Sequence, residues 1–208
     1  MQFGKVDPKK LILVVISVIM MGFSLSFLNQ TNLGTDPYTV LNLGIASKVG
    51  LSLGNSQAIF NCILLLIVFL FDKRQIGWGT IANMFLVGYS FDFFTWLNSF
   101  WVPGEIYRTM VGRILVMIPS LLVFILVAAT YMSVQLGTSP YDAVPFIIST
   151  KLPKVPFRMI RISWDVLACV VGILLDSKLG IVTIVMAFAL GPVITWVKKN
   201  IVEKCLSC

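Results

Sequence analysis

Carboxylates are scarce in this chain, which carries only 9 Asp and Glu in 208 residues, so each one inside an apolar stretch asks for a reason. On insertion scales a charged side chain at the centre of a membrane helix costs about 2.5–3.5 kcal/mol. Asp165 lies midway along such a stretch, and Asp92 about two-thirds along another. The structural account of Asp165 is an ion pair with Arg161, one helical turn earlier; the functional account is a substrate or proton site. Asn61 is a second polar residue in an apolar run, with no charged neighbour to explain it. Asp92 stands near Tyr89 and Trp96, as a residue approaching the membrane interface would.

A six-residue stretch supplies the other candidates. Leu33-Gly34-Thr35-Asp36-Pro37-Tyr38 returns as Leu136-Gly137-Thr138-Ser139-Pro140-Tyr141, a spacing of 103 between Leu33 and Leu136. Each copy reads as an abrupt helix start. Asp36 or Ser139 suits the N-cap, a proline follows where its missing N–H costs nothing, and the glycine allows a sharp turn beforehand. Two such starts facing one cavity would present N–H groups, as the broken helices of transporters do. Thr35, Thr138 and Ser139 would add hydroxyls, and Tyr38 and Tyr141 phenols. The candidate substrate-binding set is therefore Thr35, Asp36, Tyr38, Asn61, Asp92, Thr138, Ser139, Tyr141 and Asp165. Asp142, in a first helical turn, suits the helix dipole, and Asn83 a packing hydrogen bond.

Other chemistries lack their residues. The chain has no histidine, hence no imidazole base, no Ser-His pair and no imidazole metal ligand. There is no phosphate loop or dinucleotide fingerprint. Cys62 and Cys169 read as apolar fillers, and Cys205-x-x-Cys208 lacks the context that gives that spacing meaning. The expectation is a protein without catalytic residues, metal or cofactor. The net charge of +7 comes from short basic clusters at the ends of apolar runs, a topological signal and not a nucleic-acid footprint.

The elements that must position these residues follow from composition. The chain is 58% hydrophobic and 12% charged, with charge-free runs at 11–35, 49–71, 75–91, 114–141 and 179–197. Several approach the roughly 20 residues that carry a helix across about 30 Å of hydrocarbon. The fold class is an all-α polytopic membrane protein. The 103-residue spacing also pairs Lys48 with Lys151, Gly77 with Gly180, Thr80 with Thr183 and Gly88 with Gly191, and one further residue pairs Asn61 with Asp165. This pattern predicts two tandem repeats, 1–103 and 104–208, within one membrane domain. Each holds four membrane-embedded segments, near 10–32, 37–49, 55–72 and 79–98, then 112–135, 140–152, 157–176 and 179–198. The second is short, since Pro37 to Lys48 makes about 18 Å of helix, well under the bilayer core; the copies are parallel if it crosses and inverted if it is re-entrant. It is a half-helix or a re-entrant segment. Lys and Arg balance barely separates parallel from inverted repeats; the matches of Lys48 with Lys151 and Lys10 with Arg113 favour parallel copies with both termini cytoplasmic.

Together these residues resemble the YczE/YyaS/YitT group of bacterial integral membrane proteins. The likeness is carried by Leu33–Tyr38, by Lys48-Val-Gly-Leu-Ser-Leu-Gly54, and by Ile76-Gly-Trp-Gly-Thr-Ile81 leading to Val87-Gly88. The second half departs from it at Lys151-Leu-Pro-Lys-Val-Pro156. The resemblance implies a multi-pass inner-membrane protein and brings no catalytic residue with it. The functional expectation is a small-molecule permease with its site between the repeats, embedded in the lipid bilayer. The alternative is a non-transporting membrane partner that docks other proteins on its basic cytoplasmic face; a protein partner or a homo-oligomer is compatible with either reading.

Overall fold

The structure, a computed structural model, describes residues 6–206; the Cys205-x-x-Cys208 motif falls outside the side chains it describes. Eight helices follow in order: α1 (Pro8–Gln30), α2 (Pro37–Val49), α3 (Leu53–Phe71), α4 (Trp78–Trp101), α5 (Met110–Val134), α6 (Pro140–Lys151), α7 (Phe157–Leu174) and α8 (Ile181–Val197). A π-helical turn at Lys198–Val202 and a short helical end at Glu203–Leu206 continue α8. Among the described residues there is no strand. Four stretches, Pro8–Gln30, Leu53–Phe71, Met110–Val134 and Ile181–Val202, are long and apolar enough to cross a membrane. Helix α4 matches them in length but carries Asn83, Asp92 and Asn98, and α7 carries Arg158, Arg161 and Asp165. Large apolar side chains such as Ile12, Leu66, Leu115, Leu167 and Phe188 point outward. Water would penalise so much exposed apolar surface and lipid does not; this is a membrane protein.

The starts of the two short helices are built as their letters specify. Asp36 accepts from the Thr39 amide at 3.1 Å and Ser139 Oγ from the Asp142 amide at 3.1 Å, each with proline next in line. Gly34 and Gly137 take φ of 108° and 110°, a backbone that only glycine adopts without strain. Each turn packs on a helix start from the other half of the chain. The Val182 amide donates to the Leu33 carbonyl at 3.0 Å, and the Gly79 amide to the Leu136 carbonyl at 2.7 Å. A Cβ on Gly34 would strike Thr183 Oγ1, and one on Gly137 would strike Thr80 Oγ1.

Helix directions follow from which residues meet. Gly22 lies against Ser90 and Phe91, Phe23 against Phe94, and Ser26 against Asn98, so α1 and α4 run parallel. The end of α5 meets the start of α4 through Leu136 and Tyr131, so α5 is antiparallel to both. In α2, Val40 meets Gly172 and Gly44 meets Leu175, which sets α2 parallel to α7. Asn42 meets Ser56 and Tyr38 meets Asn61, so α2 is antiparallel to α3. The parallel orientation favoured by the matched lysines therefore does not hold. Lys48 pairs with Asp176 at one end of the bundle, whereas Lys151 lies over the Phe71 ring at the other. Their shared position in the sequence reflects the ends of two short helices that point in opposite directions. Packing between α1 and α4 is close because Gly22 sits under the Val87 carbonyl; α3 and α4 meet similarly through Gly54 and Gly88.

Candidate functional site

The two short helices meet tip to tip. The Tyr38 and Tyr141 rings, each one residue past the leading proline, lie 4.5 Å apart and tilted by 34°. Behind them the two halves use corresponding partners. Tyr38 Oη donates to Asn61 Oδ1 at 2.7 Å, and Tyr141 Oη donates to Asp165 Oδ1 at 2.7 Å. Asn61 is held in turn by its donation to the Met84 carbonyl at 3.2 Å. Asp165 is held by Arg161 Nε at 3.1 Å, and the same guanidinium reaches Asp142 on α6. Ser139 Oγ donates to the second Asp142 oxygen at 2.7 Å. Arg161 thus closes a network between α6 and α7 in which both carboxylates are matched.

A cavity of about 730 Å³ opens from these tips, within the range of small-molecule sites. Its deep wall includes Asp36, Tyr38, Thr39, Gln57, Tyr141, Asp142, Arg161 and Asp165; Phe124, Tyr131, Phe146 and Trp196 add rings. It extends between α7 and α8 to Arg158, Lys199 and Asn200 at the end where α7 begins and α8 finishes. Three buried atoms on this wall lack hydrogen-bond partners: Asp36 Oδ2, Gln57 Nε2 and Thr39 Oγ1. The Thr39 hydroxyl sits beside the Asp36 carboxylate without reaching hydrogen-bond geometry. Buried polar atoms normally find partners, and these three find none within the protein.

A second hollow, of about 690 Å³, lies at the opposite end, lined by Asn29, Gln30, Asn32, Thr35, Asn98, Tyr107 and Lys178 among others. Burial pushes the Tyr107 phenol above its ordinary range. Thr35 lines this vestibule and Asp36 lines the main cavity. The two hollows are thus separated, at this point, by consecutive residues of one turn.

Residues 8–199 match a family described as a family of unknown function, DUF6198. The chain belongs to that family. It is 28% identical to the uncharacterised protein YyaS of Bacillus subtilis over 191 residues, covering 91% of this chain and 92% of that one. An uncharacterised protein of Haemophilus influenzae is 25% identical over 184 residues, 88% of this chain and 80% of the relative. No solved structure matches the chain. These relatives agree with the resemblance carried by Leu33–Tyr38 and its neighbours.

Of the residues singled out from sequence, Asp36, Tyr38, Ser139, Tyr141 and Asp165 face the cavity, and Asn61 supports Tyr38 from behind. Three are placed elsewhere. Asp92 accepts from the Gly54 amide at 2.8 Å, holding the start of α3. Thr138 is tied to Gln75 through its amide at 3.0 Å and its hydroxyl at 3.1 Å. Thr35 faces the vestibule. Thr39, Gln57 and Arg161 of the wall are not among the residues singled out. Gln57 is uncharged and carries no distinguishing neighbour in sequence, although one signal existed: the register that pairs Asn61 with Asp165 also pairs Gln57 with Arg161. Arg161 was visible only as a partner for Asp165, because its reach to Asp142 depends on how α6 and α7 pack. Asn83, read as a packing residue, also lines the cavity.

Proposed function

We propose that this chain is a small-molecule transporter of the bacterial inner membrane, built from two inverted repeats. Helices α1, α3 and α4 and helices α5, α7 and α8 are the crossing segments; α2 and α6 enter from opposite faces and end at mid-membrane. The termini share one face, together with Lys9, Lys10, Lys73, Arg74, Lys154 and Lys199, and the positive-inside rule makes that face cytoplasmic. The main cavity then opens to the cytoplasm and the vestibule to the outside. The observation that carries the reading is the meeting of two half-helix tips at a cavity whose wall holds unpartnered buried polar atoms. Broken helices at mid-depth are the way transporters expose polar backbone to a substrate and not to lipid. Without histidine or an assembled acid-base pair, the site binds and releases and does not transform.

Two measurements test this. Cysteines placed at positions 48 and 75 label from opposite sides, position 75 from the cytoplasm; labelling of both from one side, or with the sides exchanged, removes the topology. Purified protein in liposomes takes up or exchanges a small solute; failure across a broad panel, with loss of a phenotype only when the cytoplasmic lysines and arginines are changed, favours the docking alternative.

A further inference from the structure

The deep part of the cavity has an uneven charge balance. Asp36, Asp142 and Asp165 share it with one guanidinium, Arg161. That guanidinium is committed: it bridges Asp142 and Asp165, and the remaining oxygens of those two accept from Ser139 and Tyr141. Asp36 is left over. It is 8% exposed, its Oδ1 caps α2, and its Oδ2 makes no hydrogen bond, the Thr39 hydroxyl beside it falling short of bonding geometry. The other cations of the cavity, Arg158 and Lys199, stand at the exposed mouth, where water and salt screen them from the floor. A carboxylate oxygen so buried needs a positive partner or a donor.

Gln57 adds a second condition. It is 1% exposed and lines the same cavity, and its Nε2 is a donor without an acceptor. The walls supply the rest: Tyr38, Phe124 and Tyr131 line the cavity with rings, which favour a cation over an anion, while the Tyr141 ring is already taken by Arg161 and Tyr38. The helix tips weigh little against this preference, because Asp36 and Ser139 already take the Thr39 and Asp142 amides.

We infer that the substrate is an organic cation, a protonated amine on an apolar or aromatic body, whose nitrogen docks on Asp36. An oxygen acceptor on the same molecule would suit Gln57. This deepens the transporter reading and rests on the same cavity, but the binding step can be tested without transport.

The probe is a matched trio: benzylamine, benzyl alcohol and benzoate, added to the purified protein in detergent with binding read by calorimetry. Benzylamine is expected to bind saturably at millimolar concentration, at least tenfold more tightly than the alcohol, and benzoate not at all. Asp36→Asn keeps the helix cap, since asparagine caps as well as aspartate, and should weaken benzylamine at least tenfold. Gln57→Arg puts on the cavity wall the cation that the second half carries at the corresponding Arg161, and should abolish amine binding with the cap untouched. Benzoate binding better than benzylamine, both variants binding the amine as the parent does, or no saturable amine binding would each overturn the inference. Benzylamine binding without uptake into liposomes would leave the inference standing and remove the transporter.

Discussion

The two halves place their polar groups at corresponding positions and use them differently. On α6 and α7, Asp142, Arg161 and Asp165 form a closed ionic network. At the corresponding positions on α2 and α3 stand Thr39, Gln57 and Asn61, all neutral, and only Asn61 is fully engaged. The turns differ in the same sense. The second is fastened, with Thr138 bound to Gln75, and Thr80 bridging the Gly77 amide and the Gln75 carbonyl. In the first, the hydroxyls of Thr35 and Thr183 have no partner. At the tips, the Asp142–Arg161–Asp165 network is satisfied by the protein itself, whereas Asp36, Thr39 and Gln57 leave atoms without partners. The proposed ligand site therefore falls on the side of the tips whose polar atoms lack partners.

Matched substitutions across the halves can break this contrast. The largest effect is expected at Arg161. Arg161→Ala strands two carboxylates that are at most about a quarter exposed and should cost about 3–5 kcal/mol. Gln57→Met, which keeps the volume of a side chain only 1% exposed and removes a donor that bonds to nothing, should cost under about 1 kcal/mol. Thermal unfolding in detergent reads both, and equal losses would mean that the first half is as tightly built as the second. Next comes the tyrosine pair. Tyr141→Phe loses a hydrogen bond to a carboxylate, about 1.5–3 kcal/mol, and Tyr38→Phe one to an amide, about 0.5–1.5 kcal/mol; denaturation midpoints should rank them in that order. The smallest effects belong to the turns. Gln75→Ala removes the acceptor of the Thr138 hydroxyl, about 1 kcal/mol. At the corresponding position Lys178 reaches only Asn32, at 3.4 Å on the surface, so Lys178→Ala should stay within about 0.5 kcal/mol. A larger loss for Lys178 would show that the first turn is fastened from outside.

Much of this was legible in the letters because local chemistry decides it. The caps at Asp36 and Ser139, the proline behind each, and the shortness of α2 and α6 depend only on neighbouring residues, and all eight segments fall where the apolar runs place them. The pair of Asp165 with Arg161 is also local, one helical turn apart. Direction was not legible. Lysines at positions 48 and 151 look equivalent in a string, and only the contacts of α2 with α7, and of α6 with α3, reveal that they mark opposite ends. Nor was the role of Gln57, since an uncharged amide in an apolar run becomes notable only when the structure leaves its nitrogen without an acceptor. Asp92 misled for the opposite reason: a half-buried carboxylate had a modest task, holding the Gly54 amide, which the sequence does not display.

The interlock of each glycine turn with the other half bears on how the chain is made. The Leu33 carbonyl is answered by the Val182 amide, yet α8 leaves the ribosome long after α2 has been delivered to the bilayer. Until then the first turn holds bare polar backbone at depth, so α2 must wait in a wet or chaperoned setting, and biogenesis completes only when the later helices close over it. A polypeptide cut between the halves, at Pro103-Gly104, would strand both pieces in that unfinished condition, each rescued only by synthesis of the other in the same cell.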